Sequence, residues 1–64
     1  DNLMVAIEDV NIREKPSLYS SIVGVLIEGR TINVLDTVQG GWHKIITKEG
    51  KEGYIDSLML KEKN

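Results

Sequence analysis

Only three aromatic rings occur in these 64 residues: Tyr19, Trp42 and Tyr54. Trp and Tyr combine a large rigid surface with one hydrogen-bond donor, which suits the grip of an extended guest. Charged groups stand near them in sequence. Arg13 offers a planar fork that can meet a carboxylate in bidentate fashion. Glu14 and Asp56 can accept from an ammonium group. Together Arg13, Glu14, Tyr19, Trp42, Tyr54 and Asp56 form the candidate ligand-binding set. The plainer reading of Arg13 is an internal ion pair with Glu14, Glu8 or Asp56. The plainer reading of Glu14 and Asp56 is solvated surface.

His43 is the lone histidine, and the chain has no cysteine. A metal site would need partners that are not here at a recognisable spacing, so no metal and no cofactor is expected. His43 reads as a half-buried structural ring. Nothing resembles a nucleophile elbow, and so small a domain leaves little concave volume from which to exclude water. Catalysis is not expected. None of the six glycines forms a phosphate loop leading into a helix, which sets nucleotide binding aside.

The elements that must position these residues are short strands. Leu3 to Ile7 alternate, and Val10 with Ile12 continue after a polar break at Glu8-Asp9. Nine residues follow, Arg13 to Ser21, with charges, hydroxyls, Tyr19 and the only proline. Pro16 fixes φ and biases Lys15 toward extended geometry. Ser17, Ser20 and Ser21 are turn formers that bond to local amides. This loop is therefore expected to be ordered, over the open side of the fold, where binding residues concentrate. Ile22–Ile27 reads as a strand with a bulge or close approach at Gly24. Thr31–Leu35 places Ile32 and Val34 on one face, and "DTVQGG" closes that strand with a tight turn at Gly40-Gly41. Trp42–Thr47 and Gly53–Asp56 are strands separated by "KEGKEG", with Gly50 at positive φ. "SLML" reads as one 3₁₀ turn or a final strand, and "KEKN" as a solvated tail. No stretch of about 12 residues keeps a helical period free of Gly or Pro. The fold class is all-β, a small barrel of five or six short strands.

Strand parity then sorts the rings. With Ile45 pointing into the core, Trp42, three residues away, points to the other face. Ile55 inward puts Tyr54 outward. Both rings border the surface beside the long loop that carries Tyr19. The alternative for Trp42 is a structural plug, partly buried over the barrel.

Size and charge bound the rest. Sixty-four residues make one domain, residues 1–64 with a core over 5–60, that buries only about 60% of its unfolded surface. The chain begins at Asp1, which reads as a piece excised from a longer multidomain protein. Net charge is −2, with 8 basic and 10 acidic residues intermixed. A nucleic-acid partner would need a basic face. The longest apolar run, Leu3–Ile7, cannot span a bilayer, so membrane insertion is excluded as well.

Six motifs in order resemble the bacterial SH3 domains (the SH3b family). "VNIREKPS" is similar to V-N-V-R-x-x-P-S, "IVGVLIEG" to I-G-x-L-x-x-G, and "TINVL" to the strand that follows. "GGWHKI" resembles N-G-W-x-K-V, "GKEGYI" resembles G-x-x-G-W-V, and "SLML" stands where S-x-Y-L would. The likeness runs from about Val5 to Leu60. It departs at Lys15, where a small residue precedes proline, at His43 in place of a second aromatic, and at Met59 in place of a tyrosine. The resemblance implies an SH3-like barrel of five to seven strands, found beside catalytic domains in bacterial cell-wall enzymes and surface proteins. It implies an extracellular or wall-associated, non-catalytic module. Its partner would be a cell-wall peptide (a peptidoglycan stem or cross-bridge) or an adjacent domain of the same protein. A proline-rich peptide groove of the eukaryotic kind would need more exposed aromatics than three.

Overall fold

The computed structural model describes residues 2–63. Seven antiparallel strands follow in chain order: β1 Asn2–Ala6, β2 Val10–Arg13, β3 Ile22–Leu26, β4 Thr31–Val38, β5 Trp42–Ile46, β6 Glu52–Asp56 and β7 Leu60–Glu62. One 3₁₀ turn, Ser57–Met59, precedes β7. The strands form a single sheet in the order β3-β2-β6-β5-β4-β1-β7. The sheet curls so that alternate side chains meet inside a small SH3-like barrel. Turn bonds extend the pairing of β1 with both its neighbours: Ala6 N–H donates to the Arg30 carbonyl, Gly29 N–H to the Ala6 carbonyl, and Ile7 N–H to the Met59 carbonyl. Asp9 Oδ1 accepts from the Glu28 amide at 2.9 Å, tying the first turn to the turn before β4.

The core is aliphatic. Met4, Ala6, Ile12, Leu26, Ile32, Val34, Ile45, Ile55 and Leu60 form one cluster, with Val10, Val23 and Met59 packed against it. Ile45 and Ile55 are wholly buried and lie diagonally on adjacent strands, on the same face, so each contributes about 1.5–3 kcal/mol of hydrophobic stabilisation. No polar or charged side chain is buried among the described residues. In β1 the inward residues are Met4 and Ala6, while Leu3, and Ile7 just after the strand, are exposed. Alternation shows which residues share a face but not which face is the inner one.

Three expectations change in extent. The strand beginning at Thr31 continues past Leu35 to Val38. Asp36 pairs with Lys44 and Thr37 with His43, after a register shift between Val34 and Asp36. Leu35 is the extra residue and is exposed, so the polar residues after it lie on a solvated part of the sheet. Lys61 and Glu62 are not tail: they pair with Val5 and Met4. "SLML" is both a 3₁₀ turn and, from Leu60, a strand. The turn glycines stand as expected, with φ of 86° and 81° at Gly40 and Gly41.

The close approach, one of the two readings of Gly24, lies instead at Gly53. A Cβ on Gly53 would fall 2.5 Å from Ile12 Cγ2 and 3.1 Å from the Arg13 carbonyl oxygen, whereas one on Gly24 would meet nothing nearer than 3.5 Å. The bulge does fall beside Gly24, where the register shifts between Ile12 and Arg13.

Candidate functional site

The missing side chain at Gly53 lets β2 approach β6, and the two strands pair at one place, Arg13 opposite Tyr54. From there register carries the site across the sheet. Tyr54 stands opposite Lys44, and Lys44 opposite Asp36. Residues directly opposite project to the same side. The row Arg13–Tyr54–Lys44–Asp36 therefore lies on the outer face. The next row on that face holds Asp56 opposite Trp42 and Trp42 opposite Val38. Four of the six candidate residues, Arg13, Tyr54, Trp42 and Asp56, are thus brought onto one patch.

Trp42 occupies this patch as the plug that was its alternative reading. It lies on the outer face yet is only 9% exposed, and it stands outside the main aliphatic cluster. Its ring edge lies against the turn: a Cβ on Gly40 would sit 3.6 Å from Cδ1. The indole N–H has no hydrogen-bond partner among the described residues, and none of their buried side-chain polar atoms is left unsatisfied. The ring is a plug that offers solvent its polar edge.

Arg13 forms no ion pair among the described residues, where the one salt bridge is Lys44 Nζ to Glu52 Oε1 at 3.3 Å. Its guanidinium instead donates to the Ser20 carbonyl at 3.0 Å. That bond fastens the long loop at its base, and others order it. Glu14 N–H donates to the Ser21 carbonyl and Ser20 N–H to the Ser17 carbonyl. Lys15 N–H donates to Ser20 Oγ and Tyr19 N–H to Ser17 Oγ. The loop therefore has defined geometry, and it holds Tyr19 out at 99% exposure with Leu18 beside it. A ring so exposed packs on neither Trp42 nor Tyr54. Glu14 is likewise exposed.

Asp56 caps the 3₁₀ turn, its Oδ1 accepting from the Leu58 amide at 3.0 Å. His43 is half-buried, and its Nδ1 lies 3.1 Å from Thr37 Oγ1. No group of three or more metal-ligating side chains gathers among the described residues, and no helix there is long and apolar enough to cross a membrane.

Sequence reasoning missed Lys44, whose signal was available: it lies two residues from Trp42 in one strand. It also missed two adjoining clefts away from the rings. One, of about 500 Å³, runs between Val25–Ile27 of the β3 edge and the Ile46–Glu49 end of β5. The other, of about 460 Å³, lies between Val23–Val25 and the β5–β6 turn.

Chemically, the outer patch sets a tyrosine ring between two cations. Arg13 spends one bond on Ser20, leaving further N–H groups of its guanidinium for a carboxylate. Asp56 keeps a second oxygen for an amide or ammonium.

A family model described as "Bacterial SH3 domain" matches residues 8–61. Among curated proteins the chain is 33% identical over 54 residues to "Probable endopeptidase p60" of Listeria innocua, covering 84% of this chain and 12% of that protein. It is 32% identical over 54 residues to "Probable endopeptidase p60" of Listeria monocytogenes, covering 84% of this chain and 11% of that one. The chain thus spans a small part of the length of the relatives it matches.

Proposed function

The chain belongs to the bacterial SH3 domain family, and from that premise we propose that it is a non-catalytic module that binds cell-wall peptide. The guest would be a peptidoglycan stem or cross-bridge, held extended, and the role would be to target a parent hydrolase or surface protein outside the cell. The observation that carries this reading is the register that sets Tyr54 between Arg13 and Lys44, two residues from Asp56 and beside the loop that Arg13 fastens. Such a patch supplies a ring, donors for carboxylates and an acceptor for ammonium, the groups a short peptide presents. The relatives named as endopeptidases are about eight to nine times longer than the matched segment, which is in keeping with catalysis residing elsewhere in a parent chain. Shallow sites bind weakly, so repeated copies would gain by avidity.

Tyr54→Ala and Lys44→Glu test the site without removing core packing. Both variants should keep the fold and lose sedimentation with purified cell walls. Equal pull-down by the wild type and both variants would reject the patch as the binding surface.

A second reading is docking of this patch against a neighbouring domain of the same protein. The enclosure of Trp42 favours it, because a plug leaves less ring for a small guest. Amide shifts that appear with the neighbouring domain, and not with wall fragments, would select it.

A further inference from the structure

The two ends of the sheet are guarded differently. β7 is three residues long and carries Lys61 and Glu62, both exposed, the usual defence of a sheet edge. β3 has none: Ile22 to Ile27 contains no charge and no proline. Ile22, Val25 and Ile27 are each about half exposed, and the strand pairs only with β2.

Both clefts open onto this strand. They are bordered by consecutive residues of β3 and the residue after it, Val23–Val25 in one and Val25–Ile27 in the other. Successive side chains in a strand point to opposite faces, so a run of neighbours along a cleft means that backbone edge lines it. The clefts share Ile12, Val25, Thr47 and Glu49, and together they form one slot with β3 on one side and the start of β4, the end of β5 and the β5–β6 turn on the other. An unpaired strand edge along such a slot offers backbone pairing to one extended segment. A second copy of this chain would have to bring its β2–β3 hairpin, which is two strands wide.

Charge narrows the guest. The protein is acidic overall, at −2, yet Arg30, Lys48 and Lys51 border this slot. Against them stand Glu49 and Glu52, and Glu52 is already bonded to Lys44.

We infer that the β3 edge takes one added strand: an extended peptide of about four residues, roughly 13 Å long. Its middle is small or aliphatic, against Val25 and Ile27, and a carboxylate lies toward Arg30 and Lys48. Backbone pairing supplies affinity and the basic end sets direction. The slot contains none of Arg13, Trp42, Tyr54 or Asp56, so it is a site separate from the outer patch.

The test titrates the chain with acetyl-Ala-Val-Ala-Glu bearing a free C-terminus, and with its Gln, C-amidated counterpart, following backbone amide shifts. The acid peptide should shift Val23–Ile27 and Thr47–Glu49. Val25→Glu, on a half-exposed side chain, and Lys48→Glu, in a turn, should each weaken binding about tenfold or more, while Tyr54→Ala leaves it unchanged. The inference is overturned by no shift at about 5 mM peptide, a weak-binding ceiling, or by equal binding of the uncharged peptide. Shifts centred on Trp42 and Tyr54 would also overturn it, as would concentration-dependent pairing of the chain with itself along β3. Failure here leaves the cell-wall pull-down result standing, because that assay reads different residues.

Discussion

Trp42 and Tyr54 share a face, but a truncation at each asks a different question. Trp42 is nearly enclosed, so Trp42→Ala removes packing worth about 3–5 kcal/mol. A 64-residue domain has a total stability of only about 3–10 kcal/mol. Urea denaturation should show Trp42→Ala largely unfolded or close to it, and Tyr54→Ala, half-buried on a solvated face, much closer to wild type. Gly53→Ala should be costly as well. Its new methyl meets the branched side chain of Ile12 and the Arg13 carbonyl, neither of which can swing aside, so a loss of about 1–3 kcal/mol is expected from overpacking. Parity in the sequence placed both rings on the outer face. Partial cover of Trp42 was one of its two readings in the sequence, but its extent was not legible there, because it depends on how the Gly40-Gly41 turn lies against the ring. Gly53 read as the start of a strand, since only the neighbouring strand reveals why a side chain is excluded.

Among the elements, the Arg13–Ser21 loop was the most readable. Its serines and proline announced local order, and Ser17 and Ser20 do receive backbone amides. What could not be read was the partner of Arg13, because a carbonyl seven residues away carries no sequence label. Ser20→Ala removes the acceptor for the Lys15 amide. Hydrogen exchange at Lys15 should quicken markedly, while global stability falls by only about 0.5–1.5 kcal/mol. An unchanged Lys15 rate would mean that Pro16 and the other loop bonds suffice. The C-terminal end of β4 and the Lys61–Glu62 part of β7 were hidden for one reason. Strand segments that face water on both sides carry Asp, Thr, Lys and Glu, the composition of a turn or a tail.

For the molecule as a whole, the aliphatic pattern in a chain without cysteine or phenylalanine was enough to give an all-β barrel, and the core cluster is built from those residues. Its radius of gyration, 10.2 Å, is close to the roughly 10.7 Å expected for a compact chain of this length. Electrostatics adds little. The Lys44–Glu52 bridge joins partly exposed side chains, so a double-mutant cycle should return less than about 1 kcal/mol. Added salt should barely move the melting temperature, and a large shift would point to a charge network not visible in the structure. Between β2 and β6 the sheet is joined by the single pair Arg13–Tyr54, whereas β5 and β6 are joined by five. The hairpin of β2 and β3 is thus stitched on like a flap with one button. In thermal breathing it is expected to lift first, although Ile12 and Leu26 anchor it in the core, and lifting would bare Ile12 at the floor of the slot. A protease added under native conditions should make its first cut in that flap, long before the remaining five strands come apart.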